Sequence, residues 1–162
     1  MKTILNLLFL CNCLGFISCS DDDELTIENA DVTGTLTYVQ KSFVPLTFDS
    51  TGTIPLSAMI TFEGTGNLLH LGNVHLNTTF KFDFLQGKGS DFVSTYNGDD
   101  PGNSFGATGE SQQQPDGSYL VTEILGNGKG KFANINGGGP TLVLLTPDGS
   151  AGTGTVQWKV SY

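Results

Sequence analysis

Few side chains in this 162-residue chain could do chemistry. The three cysteines are Cys11, Cys13 and Cys19, all near the start, so everything downstream lacks a thiol to attack, oxidise or hold zinc. The two histidines, His70 and His75, stand five positions apart. On an unbroken strand they face opposite ways, which is poor geometry for a shared metal, and surface or turn roles are expected. A bulge at Gly72, between them, would change that. Asp99 and Asp100, with Asn97 and Asn103, could offer oxygens to calcium, but their spacing is not that of an EF-hand loop. An Asn-Gly/Pro-Gly double turn explains the same residues. There is no Gly-x-Ser-x-Gly elbow and no His-Glu-x-x-His. No catalytic residue, metal or cofactor is expected on these grounds.

Two carboxylates remain. Glu63 and Glu123 both sit inside apolar strand candidates, and Tyr96 and Tyr119 are the polar aromatic groups that could join them. Either glutamate, turned inward, would be a buried acid with a raised pKa, able to contact a ligand or donate a proton. Alternation alone does not say which way they face.

The elements that must position these residues are strands. No segment beyond residue 24 carries a helical apolar period, whereas alternation with period two recurs. It is clearest over Val74–Phe84, where Val74, Leu76, Thr78, Phe80, Phe82 and Phe84 share a face, and over Val156, Trp158, Val160 and Tyr162. Further strands are predicted over Val32–Gln40, Ala58–Phe62, Asp91–Tyr96, Ser104–Thr108, Ser118–Leu125 and Thr141–Thr146. Turn signals such as Asp49-Ser50-Thr51-Gly52, Gln86-Gly87-Lys88-Gly89, Pro115-Asp116-Gly117 and Pro147-Asp148-Gly149 separate them. The fold class is therefore all-β: a small antiparallel barrel of about eight strands, with a β-sandwich as the alternative. Closure would remove the edge strands that invite aggregation.

Glycine, at 22 residues, is about twice its usual ~7% share, and charged residues, at 14%, fall well below the usual ~25%. There is no arginine, and the net charge is −9. That balance argues against nucleic acid, for which a basic face is the first requirement.

The opening residues read as a secretory signal, with Lys2 ahead of an apolar run from Ile4 to Ile17. Gly15-Phe16-Ile17-Ser18-Cys19 resembles the bacterial lipobox, in which cleavage precedes an acylated cysteine. This implies residues 1–18 as signal peptide, lipidation (palmitate among the acyl chains) at Cys19, 19–30 as acylated tether and 31–162 as one β-barrel domain. Several acyl chains hold a protein on a membrane effectively permanently. The run Ser20-Asp21-Asp22-Asp23-Glu24 resembles the surface-export signal of Bacteroidetes lipoproteins, which implies an outer-membrane, cell-surface position; a periplasm-facing one is the alternative.

The segment Gly126-Asn127-Gly128-Lys129-Gly130-Lys131-Phe132-Ala133 and the glycines Gly137-Gly138-Gly139 fail as a phosphate loop, because no Ser or Thr follows either lysine and no helix opens there. They read as a glycine-rich corner with Phe132 and Ile135 turned into the core. Together with Gly64-Thr65-Gly66-Asn67-Leu68-Leu69-His70-Leu71-Gly72 and Tyr96-Asn97-Gly98-Asp99, this segment is similar to the pattern of allene oxide cyclase-like, or dirigent-like, β-barrels. The resemblance spans roughly residues 60–162 and implies a small eight-stranded barrel with a central cavity. It carries no catalytic residue across.

Three functions stay open at this stage. A binding module would hold a small apolar ligand, with Phe80, Phe82, Phe84 and Trp158 in the cavity and Glu63 or Glu123 as its polar contact. Those aromatic residues, with Val156 and Val160, could equally fill a solid core. An isomerase- or cyclase-like enzyme would need an ionisable group among the inward aromatics, and the two clearest strands show none. A structural or adhesive surface protein would show an exposed apolar patch.

Overall fold

A computed structural model describes residues 26–162. Eight antiparallel strands run up and down in sequence order and close on themselves: β1 (Ala30–Phe48), β2 (Pro55–Leu68), β3 (Gly72–Asp83), β4 (Lys88–Gly98), β5 (Ser104–Gln113), β6 (Tyr119–Lys129), β7 (Asn136–Leu145) and β8 (Ala151–Ser161). The β1–β8 pairing from Ala30↔Val160 to Val39↔Ala151 completes the barrel. The barrel, not the sandwich, is the architecture. Every strand expected from alternation is present. The signal segment, Cys19 and the acidic run lie outside the described residues.

The two ends of the barrel differ. At one end the connections are the 69–71 turn, the Asn97–Asn103 turn and a single 3-10 turn at Gly130–Phe132. Phe132 is fully buried and Ile135 nearly so, as the glycine-rich corner required. Phe132 meets Phe105 edge-on, with ring centroids 5.3 Å apart, and Tyr162 at the same distance. Leu68, Leu71, Val32, Val160 and Trp158 complete a solid plug. Both described termini lie here, since Ile27 and Tyr162 exchange backbone hydrogen bonds of 2.7 and 2.8 Å.

At the opposite end the turns are polar, and each is organised by one aspartate. Asp49 accepts from the backbone N–H of Thr53 and Ile54, and Asp83 from Leu85 and Gln86. Asp116 accepts from Ser118, and Asp148 from Ser150. These are Asx-type turns, in which the carboxylate replaces a missing backbone partner. The hydrogen bonds hold Asp49 and Asp116 below the usual carboxylate range and Asp148 at about 2. This end is open.

β1 runs on to Phe48, well past the expected Gln40, through bulges at Gln40/Ser42 and Pro45/Thr47. Because β8 stops pairing at Val39, the rest of β1 pairs with β2 alone and projects past the rim. Its Phe43, Val44, Leu46 and Phe48 are exposed.

Candidate functional site

Inward-facing residues change character along the barrel axis. The plugged half is packed solid. The half nearer the open end is hollow, with a cavity of about 530 Å³. That volume is in the range of small-molecule pockets, roughly 300–1,000 Å³. The alternation of β3 supplies Leu76, Thr78, Phe80 and Phe82 to its wall. Phe62, Phe80 and Phe92, on three neighbouring strands, stack nearly parallel, with centroids 6.2 and 4.3 Å apart. Phe82 meets Tyr119 edge-on at 5.6 Å across the lumen. Phe84 and Phe43 stand at the rim, 6.0 Å apart.

One buried carboxylate faces this apolar space. β6 alternates Tyr119, Val121, Glu123 and Leu125 inward against Leu120, Thr122 and Ile124 outward, which places Glu123 at the cavity floor. Tyr96 donates its hydroxyl to Glu123 Oε1 at 2.8 Å. Thr141 donates to Oε2 at 3.3 Å and itself accepts from Trp158 Nε1 at 3.1 Å. Thr78 and Ser94 share a hydrogen bond of 2.8 Å beside them, and Ser94 also favours the charged carboxylate. Burial is the dominant influence on Glu123. It outweighs these donors and pushes the carboxyl up to about 7. Tyr96 and Tyr38, buried and close to that charge, are raised well above the usual phenol value and stay protonated. Among the described residues, no buried side-chain nitrogen or oxygen lacks a partner.

Small residues make room for this arrangement. A Cβ on Gly154 would lie 2.6 Å from the Tyr38 hydroxyl, so the Tyr38 ring lies directly on that backbone. Gly137 and Gly138, at φ of +111° and +137°, thread β7 between β6 and β8, where a Cβ would strike the Lys159 and Glu123 carbonyls.

Phe80, Phe82, Phe84 and Glu123 line the cavity as expected for a hollow barrel. Trp158 does not. It lies beneath the floor, buried against Tyr96 with ring centroids 5.4 Å apart, and reaches the site through Tyr96 and Thr141. Val156 and Val160 lie buried in the same core as Trp158. The hollow and filled readings thus each hold for one half of the barrel. Glu63 is a correction: it faces outward, about half exposed, and pairs with Lys41 at 3.0 Å. The two strands of clearest alternation carry no ionisable group on the inner face, as expected; the inward acid comes from β6. His70 occupies the β2–β3 turn with φ +69°, and His75 lies on the outer face of β3. Asn97, Asp99, Asp100 and Asn103 form a turn, where Asn103 accepts from the Lys131 N–H and Asp99 from Asn73. No cluster suited to a metal exists among the described residues.

The sequence signal for Glu123 was its place in Tyr119-x-Val121-x-Glu123-x-Leu125, an inward pattern diluted by Leu120 and Ile124 outside. The alternation of β3 put Thr78 on the inner face, whereas Ser94 and Thr141 gave no signal, because short polar residues on a half-buried strand face either way. No known family model, curated protein or solved structure matches this chain.

Proposed function

We propose that this chain is a lipid-anchored, extracytoplasmic binding protein that encloses one small, largely apolar ligand. The observation that carries the reading is the 530 Å³ cavity, open at one end and walled by stacked phenylalanines over a single buried carboxylate. A barrel that served only as a scaffold would fill its lumen with side chains, as the plugged half of this one does. The lipobox-like Cys19 and the acidic run behind it support attachment to the outer membrane, at the cell surface. The closed eight-stranded barrel with a central cavity supports kinship with allene oxide cyclase-like proteins.

The test is binding of the neutral fluorophore N-phenyl-1-naphthylamine to the chain from Ser20 onward, which contains the whole closed barrel and its core. Saturable, blue-shifted emission is expected, and Val121→Trp, which fills the lumen, should abolish it. Absence of saturable binding by the parent chain would refute the reading and turn attention to the outer wall, where Leu120, Ile124, Leu142 and Leu144 are exposed.

One observation favours a second reading, an isomerase- or cyclase-like enzyme. A carboxyl at about 7, hydrogen-bonded to a tyrosine inside an apolar chamber, is poised to exchange a proton with a bound substrate near neutral pH.

A further inference from the structure

We infer that the cavity selects a ligand with a cationic head on an apolar body, a small alkyl- or arylamine, whose ammonium group docks on Glu123. The inference rests on the binding reading above and specifies the chemistry of its ligand.

The proton directions in the floor network lead there. Tyr96 has one hydroxyl proton and spends it on Glu123 Oε1. Thr141 receives the Trp158 N–H, which leaves its own proton for Oε2. Each neighbour is thus arranged to donate to a carboxylate, as a protonated acid would not require. A carboxylate has about four lone-pair sites. Tyr96, Thr141 and Ser94 use at most three of them, so at least one remains for the cavity. Among the described residues no lysine lines the cavity, and the chain has no arginine, so no side chain of the cavity wall supplies a counter-charge to the ionised carboxylate. A cationic ligand would.

The remaining surfaces agree. The wall offers the faces of Phe62, Phe80 and Phe92 to an organic cation or its apolar body. Asp148 also lines the cavity near its mouth, and Asp49, Asp83 and Asp116 organise the other turns of the same rim. Lys41 and Lys88, at this end, are paired with Glu63 and Glu110, so the four aspartates leave the rim net negative. Such an opening draws in cations and repels anions. A free fatty acid would bring a second negative charge to Glu123 and is excluded on the same argument.

The test uses three probes of one length: decylamine, decanol and decanoate, each displacing N-phenyl-1-naphthylamine from the parent chain at pH 8. Decylamine should bind at least about tenfold more tightly than decanol, the usual advantage of a charge-assisted hydrogen bond, and decanoate more weakly than either. Alkylamines stay protonated up to about pH 10, so below that the pH profile reports the protein. Tyr38 and Tyr96 are the other titratable groups facing Glu123 and remain neutral, leaving its carboxyl to set the profile. Decylamine affinity should fall about 30-fold from pH 8 to pH 5.5, while decanol affinity stays level. Glu123→Gln should remove both the amine preference and its pH dependence; if that variant fails to fold, the parent pH profile decides. Equal binding of all three probes, tightest binding of decanoate, or a preference that survives in Glu123→Gln would overturn the inference while leaving the binding reading intact. Failure of the fluorophore itself to bind would overturn the reading beneath it.

Discussion

Glu123 should make the barrel less stable as pH rises through neutrality. Its carboxyl titrates near 4.5 in the unfolded chain and at about 7 in the folded one, so between those values the folded state holds a proton that the unfolded state has lost. Stability then falls with rising pH, because the state that binds more protons is favoured in acid. At ~1.4 kcal/mol per pH unit the whole displacement corresponds to about 3 kcal/mol, of which about 2.5 falls between pH 5 and pH 8. The assay is urea unfolding at pH 5, 6, 7 and 8, followed by fluorescence of Trp158, the only tryptophan, which lies under the floor. Glu123→Gln keeps the side chain's shape and cannot ionise. Its unfolding free energy relative to the parent should therefore rise by about 2.5 kcal/mol across that range. Taking the difference cancels every other titrating group common to both proteins. A parent-minus-variant difference that stays flat from pH 5 to pH 8 would refute the account of Glu123 as a carboxyl held against its charge by burial. A difference that grows the other way would mean that the hydroxyl donors outweigh burial.

Two further substitutions probe the frame around the site. Phe132→Ala removes a fully buried ring from the corner plug and should cost about 3–5 kcal/mol by urea unfolding; a cost under about 1 kcal/mol would show that the plug does not close the core. Gly154→Ala places a methyl group against the Tyr38 ring, so it should cost about 1–3 kcal/mol and push that ring into the lumen, weakening fluorophore binding as well. Unchanged binding and stability would mean that Tyr38 has room to move.

The architecture was legible because two kinds of signal agreed. Val74–Phe84 and Val156–Tyr162 alternate cleanly, and the Pro-Asp-Gly and Asp-Ser-Thr-Gly turns sit where the chain must reverse. The far half of β1 was not legible: Lys41-Ser42-Phe43-Val44-Pro45 breaks the alternation, and the bulges that let the strand continue are set by its partner β2 rather than by its own residues. For the site, sequence reduced the acids to Glu63 and Glu123 but could not choose between them, since both stand beside β-formers. What decides is register. Glu63 lies opposite Val39 on the outer face with Lys41 in reach, while Glu123 lies opposite Gly109 and Gly139 on the inner one. Trp158 was misplaced for a related reason. Alternation gives the face a residue points to, but not its height along the axis, and height separates the packed half from the hollow half.

The plug and both described termini share one end of the barrel, and the opening is at the other. Under the proposed anchoring at Cys19, the tether would join the barrel at its plugged base, the end away from the mouth. On that anchoring, whatever fills it would arrive through water or from a donor facing the rim. The apolar residues projecting there, Phe48 and Ile54 on the β1–β2 hairpin and Leu85 beside it, would meet such a donor first. Loading and membrane attachment would be separate events, so that clipping the tether would free a vessel still able to carry its contents.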